Sequence, residues 1–274
     1  MMKMKLKLAL LGTGNIGTSI ADGLLQSGLY APENIILTRR RAEKLAGLKD
    51  KGFIVQSDNG DAVRKSEIIL IAVEPQQLNR LLEEVRDDID SEKHLIISVV
   101  TGVSIAQIRK KLQKDASVIR AMPNTAAAIR ESITCIASDG AKESAFDAAA
   151  NIFNTVGRTL VIDEEDMTAA TALGACGIAF FLRAIRAASQ GGIEIGFNSD
   201  KALQIAAQTA KGAAALLLKN ERHPEFEIDK VTTPRGVTIS GLNQMEHQGF
   251  SSALIQGIVT SWSKASRLYK ENGG

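Results

Sequence analysis

Three glycines stand at the spacing G-x-G-x-x-G in Gly12-Thr13-Gly14-Asn15-Ile16-Gly17. That spacing suits the binding of a dinucleotide. The first glycine permits a tight turn, the second lets backbone approach a pyrophosphate, and the third lets a helix pack closely on a strand. The phosphates then rest on the unpaired N–H groups of the helix start. The string is common by itself. Here an apolar run, Leu6–Leu11, precedes it, and an amphipathic run, Ile16–Ser27, follows it up to Gly28. That is the strand–turn–helix context the motif requires. Gly12, Gly14, Asn15, Ile16 and Gly17 therefore read as cofactor contacts.

The end of a second strand should meet the adenosine ribose. An Asp or Glu there binds a free 2′-hydroxyl, as NAD requires. This chain has Thr38-Arg39-Arg40-Arg41 instead. A hydroxyl followed by guanidinium groups suits a 2′-phosphate, which arginine can hold in a bidentate fashion. The preferred cofactor is thus NADPH/NADP, with Thr38, Arg39 and Arg40 as contacts and Arg41 as a solvated helix start. Ligands of such sheets lie at the carboxyl ends of the strands. Ala72, Val73, Glu74 and Pro75 follow the fourth strand, Asn59 the third and Thr101 the fifth, so all of them fall on that edge.

These residues need a scaffold, and the front of the chain spells one out. Short β-rich runs occur at Leu6–Leu11, Asn34–Thr38, Phe53–Gln56, Ile68–Val73, Leu95–Val100, Val118–Met122, Thr134–Ala137 and Thr159–Ile162. Helical runs lie between most of them: Ile16–Ser27, Arg41–Lys51, Gly60–Lys65, Gln76–Asp88, Ile105–Lys111 and Ser144–Phe153. Such alternation predicts an α/β, mainly parallel Rossmann-type sheet with helices on both faces. The pattern changes at Asp163-Glu164-Glu165-Asp166, where acidic residues favour a helix start. Beyond it, Met167–Gln190, Ser199–Lys219, Thr238–Gln248 and Ser251–Tyr269 read as Ala- and Leu-rich helices. The sequence therefore divides into residues 1–163, an NADP-binding domain, and residues 164–274, an all-α dimerisation and substrate domain. Long apolar helices with few aromatics hint at a helical dimer.

Composition narrows the function further. The 274 residues are 45% hydrophobic and 23% charged, with a formal net charge of +2. That is a globular composition without the basic surplus of a nucleic-acid binder. The two cysteines, Cys135 and Cys176, form no metal or redox motif and suit a reducing, cytoplasmic setting. The apolar run at the N-terminus is too short for a signal peptide and leads into the glycine loop, so it reads as a strand. The uncharged stretch from Met167 to Leu182 falls short of the about 18–20 residues of a membrane span, so a buried interface helix is expected and no membrane partner. His94, His223 and His247 share no triad or ligand spacing, and no metal is expected.

At Arg120-Ala121-Met122-Pro123-Asn124-Thr125 and again at Thr233-Pro234-Arg235-Gly236-Val237-Thr238-Ile239-Ser240-Gly241-Leu242, the chain resembles the pyrroline-5-carboxylate reductases. The resemblance continues through Met245-Glu246 and Gly249-Phe250, with His223-Pro224 upstream, and it spans the whole chain. It implies NADPH-dependent reduction of the cyclic imine 1-pyrroline-5-carboxylate to L-proline, the last step of proline biosynthesis. It also implies a homodimer, or a larger homo-oligomer, built through the C-terminal helices. The chain departs from the family pattern at three places. Glu74 stands for a lysine, Arg235 for a glycine, and Gly174–Phe180 for a Ser-Gly-Ser-Gly-Pro-Ala-Tyr run.

The reaction asks for little acid–base machinery, because the cofactor carries the hydride chemistry. Residues 234–238 sit at a helix start, so the N–H groups of Gly236, Val237 and Thr238 can face the substrate carboxylate. The resemblance together with the chemistry makes Thr238 the catalytic candidate, its hydroxyl bonded to the ring nitrogen. Met122, Pro123 and Asn124 are expected to shape the nicotinamide pocket. Glu221 is carried over as a substrate-side residue. The 3-hydroxyacid dehydrogenases place a catalytic lysine on the first helix past the domain boundary, and Met167–Gln190 has none. The deazaflavin-dependent NADP reductases resemble the N-terminal half but lack the late Pro-x-Gly-x-Thr signature. A related cyclic-imine reductase, or a catalytically altered NADP-binding regulator, stays as the alternative.

Overall fold

Strands that are apolar on every residue need cover on both faces. The computed structural model of the chain, which describes residues 6–271, provides it. Eight strands form one sheet: β1 (Leu8–Leu11), β2 (Ile35–Thr38), β3 (Ile54–Gln56), β4 (Ile68–Ile71), β5 (Leu95–Ser98), β6 (Ser117–Met122), β7 (Ser132–Ser138) and β8 (Gly157–Val161). Their order is β3-β2-β1-β4-β5-β6-β7-β8. Neighbours are parallel except β6 and β7, which are antiparallel. The direction of the chain in the sheet reverses between β1–β2–β3 and β1–β4–β5. Such a switch point opens a crevice beyond the carboxyl ends of the strands.

Six helices lie between these strands among the described residues: α1 (Asn15–Ser27), α2 (Ala46–Lys49), α3 (Asn59–Arg64), α4 (Pro75–Val85), α5 (Ile105–Leu112) and α6 (Glu143–Phe153). Period-two alternation sends Leu8, Leu10, Leu37, Leu70 and Ile97 to one face, against Ile20 and Leu24 of α1 and Phe153 of α6. Ala9, Leu11, Ile36, Ile69 and Ile96 face the other way, against Val63, Leu78, Leu82 and Ile108. Each buried Leu or Ile contributes about 1.5–3 kcal/mol, so the strand ends that carry the site are held from both sides.

Local chemistry sets the element ends. Gly28, at φ 67°, closes α1 with its N–H on the Leu25 carbonyl. Pro75 opens α4 at its first position, where its missing N–H costs nothing. Ser104 and Gln107 form a reciprocal capping box on α5. The expected helix Arg41–Lys51 is a 3₁₀ turn, Ala42–Leu45, followed by the single α-helical turn α2.

After β8 the described chain is helical: α7 (Met167–Ala170), a π turn (Thr171–Cys176), α8 (Gly177–Glu194), α9 (Ser199–Asn220), α10 (Pro224–Lys230), α11 (Val237–His247) and α12 (Phe250–Glu271). The short α10 was not among the four helices read from sequence. Pro224 starts it and His223 Nδ1 accepts the Glu225 N–H at 3.3 Å.

Two compact units result, residues up to 176 together with 261 onward, and residues 177–260. Composition changes at Asp163, just past β8. Ile162, Met167 and Ala175 nevertheless pack with Met122 and Ala137, which keeps the first turns of the helical run on the sheet. In the second unit α8 and α9 lie together, and a Cβ on Gly192 would come within 3.1 Å of the Ala202 Cβ. Phe181, Leu182, Ile195, Leu218 and Met245 of this unit are exposed. The run Glu164–Glu194 is, by length and composition, long and apolar enough to cross a membrane.

Candidate active site

Three glycines of the loop do three different jobs. Gly12 sits at φ +86°, and a Cβ there would lie 2.3 Å from Val73 Cγ1. A Cβ on Gly17 would lie 2.8 Å from Leu10 Cδ2, so this glycine lets α1 press onto β1. Gly14 is open, with nothing nearer to a built Cβ than the Gly12 carbonyl at 4.0 Å. Gly14 heads α1 without a side-chain cap. The N–H groups of Asn15, Ile16 and Gly17 thus start a helix beside open space, a fitting cradle for a pyrophosphate.

Thr38 is placed differently from a phosphate ligand. It is 1% exposed. Its hydroxyl donates to Asn59 Oδ1 at 2.6 Å and accepts the Gly12 N–H at 3.4 Å. Its carbonyl takes the N–H groups of Gly12 and Thr13. Asn59 in turn donates through Nδ2 to Glu84 Oε1 at 2.9 Å. Thr38 and Asn59 therefore lock the end of β2 to the glycine loop. Arg39 follows half-buried and Arg40 exposed, and the Arg39 N–H is held by the Gln56 carbonyl at 3.2 Å.

The next strands finish the edge. Ala72 donates its N–H to the Leu11 carbonyl, and Val73 forms the shelf against Gly12. Glu74 is the exposed N-cap of α4, and Pro75 its first residue. Thr101 Oγ1 donates to Met122 Sδ at 3.9 Å, tying β5 to β6. Met122, Pro123 and Asn124 are buried at the end of β6. Asn124 accepts the Ala126 N–H on Oδ1 and donates through Nδ2 to the Gly174 carbonyl at 3.1 Å.

The second unit carries the other group. Gly236 is the N-cap of α11, which has no side-chain cap, and Val237 is 91% exposed. The Thr238 hydroxyl has no hydrogen-bond partner among the described residues, so it is not spent on capping. Arg235, at φ 60°, and Glu221, at φ 51°, both hold left-handed backbone. Glu221 ends α9 in this conformation, with its N–H on the Leu217 carbonyl. Gly236 is required by close packing, because a Cβ there would lie 2.5 Å from Thr233 Oγ1.

Two buried titratable groups outside these clusters, His94 and Cys135, are unsuited to the chemistry. His94 precedes β5, at the amino end of the strands and away from the site, and burial and Lys93 hold its imidazole below the usual pKa. Burial pushes the Cys135 thiol up, away from a reactive thiolate. A cleft of about 500 Å³ is lined by Ser138, Asp139, Asp163, Glu164, Glu165 and Thr168. Its acids would repel phosphate and carboxylate, so it is no rival to the glycine loop.

A family model described as pyrroline-5-carboxylate reductase dimerisation matches residues 164–268. One described as NADP oxidoreductase, coenzyme F420-dependent, matches residues 7–102. Pyrroline-5-carboxylate reductase 1 of Dictyostelium discoideum is 52% identical over 96% of this chain, which spans 50% of that protein's length. Pyrroline-5-carboxylate reductase 2 of the same organism is 49% identical, with 97% of this chain and 94% of that protein covered. The chain belongs to the pyrroline-5-carboxylate reductase family. A solved pyrroline-5-carboxylate reductase of Coxiella burnetii is 26% identical and superposes with a TM-score of 0.91, over 97% of this chain and 99% of that one. The Plasmodium falciparum pyrroline carboxylate reductase, solved with NADP bound, has the same fold at a TM-score of 0.88 and 23% identity, over 98% of this chain and 100% of that one.

Reading the sequence of this pyrroline-5-carboxylate reductase relative missed two polar anchors. Glu164 Oε1 accepts the Ile105 N–H at 2.7 Å and Arg120 Nη1 at 3.2 Å. Glu84 orients Asn59. Both partners lie far off in sequence, so no local spacing signals them. Glu164 entered the sequence reading only as one acid of a helix-start cluster.

Proposed function

We infer that this chain reduces 1-pyrroline-5-carboxylate to L-proline with NADPH, closing proline biosynthesis. What supports this most directly is the near full-length likeness to reductases of that name, joined to an uncapped Gly14–Gly17 helix start with Arg39 and Arg40 beside it. The bound NADPH would supply the hydride that the imine carbon accepts. Gly12, Gly14, Asn15, Ile16 and Gly17 hold its pyrophosphate. Arg39 and Arg40 bind the 2′-phosphate, with Thr38 and Asn59 setting where they begin. Ala72, Val73, Glu74, Pro75, Thr101, Met122 and Pro123 line the rest of the edge, with the buried Asn124 directly behind them.

Gly236, Val237 and Thr238 bind the substrate carboxylate through their N–H groups. The Thr238 hydroxyl holds the ring nitrogen and helps supply its proton, while Glu221 lies on the substrate side. Residues 1–163 serve as the cofactor domain and 164–274 as the dimerisation and substrate domain of a cytoplasmic homodimer. The exposed apolar faces of α8 and α9 are then covered by a second copy rather than by lipid. Purified protein with NADPH and 1-pyrroline-5-carboxylate should consume NADPH and form proline. Thr238→Ala should lower kcat/KM by about 100-fold or more, the lower end of the range for a lost proton-transfer or charge-stabilising group. Unchanged kcat/KM would remove Thr238 from the chemistry. Tight NADPH binding without turnover would favour a regulatory nucleotide binder.

A further inference from the structure

Both ends of the Asn124 side-chain amide are hydrogen-bonded inside the protein. The residue is 8% exposed. Its backbone N–H donates to Ser132 Oγ at 3.0 Å and its Oδ1 accepts the Ala126 N–H at 3.0 Å. That second bond fixes the amide orientation, because only the oxygen can accept. The NH₂ group must then face the Gly174 carbonyl, where it donates at 3.1 Å.

Gly174 lies within the π turn Thr171–Cys176. Turns of this kind are rare and collect at functional sites. Packing does not demand glycine at this position, since a Cβ there would meet only Ile133 Cγ2, at an ordinary 3.7 Å. The carbonyl is the feature in use. Two residues before Asn124, Met122 belongs to the apolar cluster, with Ala137 and Met167, against which Ala175 of the same turn packs. The end of β6 thus meets the π turn through a shared apolar cluster and one directed hydrogen bond.

We propose that Asn124 is a positioning residue that latches the π turn Thr171–Cys176 to the end of β6 and so shapes the nicotinamide side of the cofactor edge without touching the cofactor. This rests on the reductase reading above. Losing the latch should impair the reacting geometry and leave the distant contacts at Gly12–Gly17 and Arg39–Arg40 intact.

Asn124→Asp replaces the donor with an ionised carboxylate facing a carbonyl. Its kcat should fall about tenfold at neutral pH, the effect of one buried unmet hydrogen bond. KM for NADPH should stay near that of the wild type. Protonation restores an O–H donor, and burial raises the carboxyl's titration toward the working range. The variant's kcat relative to wild type should therefore recover as pH falls. Asn124→Ala should show the same loss in kcat without acid recovery, and it decides the matter if the aspartate variant does not fold. Wild-type kcat in both variants would overturn the latch. So would a rise in KM for NADPH that matches the fall in kcat, which would make Asn124 a cofactor ligand. If the wild type itself does not turn over, hydrogen exchange of amides 174–179 still decides: faster exchange in Asn124→Asp supports the latch, and unchanged exchange overturns it.

Discussion

A guanidinium next to a buried hydroxyl does different work from the hydroxyl itself, and β2 ends on both. Thr38 spends its hydrogen on Asn59 and its carbonyl on Gly12 and Thr13. That leaves Arg39 and Arg40 as the groups proposed for a 2′-phosphate. Charge-assisted bonds of this kind are worth about 1.5–3 kcal/mol each. Replacing both arginines by alanine should raise KM for NADPH by at least about tenfold and leave NADH kinetics nearly unchanged, as parallel assays with the two cofactors would read. A wild type equally efficient with NADH would contradict the NADP assignment. The Glu74 carboxylate works against a phosphate, and nothing in the structure explains its presence on this edge.

Among the elements, the loop before α11 carries an avoidable strain. Arg235 holds φ 60° where a glycine would rest without cost. Left-handed backbone costs an L-residue about 1–2 kcal/mol, and glycine's greater freedom when unfolded offsets about 0.4–1 kcal/mol of any gain. Arg235→Gly should therefore stabilise by up to about 1 kcal/mol, raising Tm by about 2–4 °C in a calorimetric scan. A fall in Tm would mean that the arginine side chain contributes more than its backbone costs.

The same scale shows what could be read in advance. Apolar strands, glycine loop and the change to helix at Asp163 were legible because their signals are local and periodic. Ile68–Val73 and Leu95–Val100 ran long because apolar residues continue past the ladder, which ends at Ile71 and Ser98. The burial of Thr38, the π turn and the Glu164 anchor were not legible. They depend on partners tens of residues away, and Thr38 looks in sequence like any hydroxyl before arginines.

For the whole molecule, two features make stability depend on conditions. The second unit leaves Phe181, Leu182, Ile195 and Leu218 exposed, so its stability should grow with protein concentration as subunits pair. The amino-end side of the central strand β5 buries His94, which burial keeps neutral. The unfolded chain, with the imidazole near its ordinary 6.5, binds the proton first as pH falls. Stability from this group is present above that value and lost below it. Urea midpoints should drop between neutral and mildly acid pH, and a flat profile across that interval would exclude the effect.

Binding of NADPH is common to many folds of this kind, and its delivery of hydride to one ring carbon is not. Deuterium placed at both C4 positions of the nicotinamide ring of NADPH therefore gives the most direct measurement. Incubated with the protein and 1-pyrroline-5-carboxylate, the label should appear at carbon 5 of the proline formed. Tight binding of NADPH with no label in proline would contradict the reductase assignment.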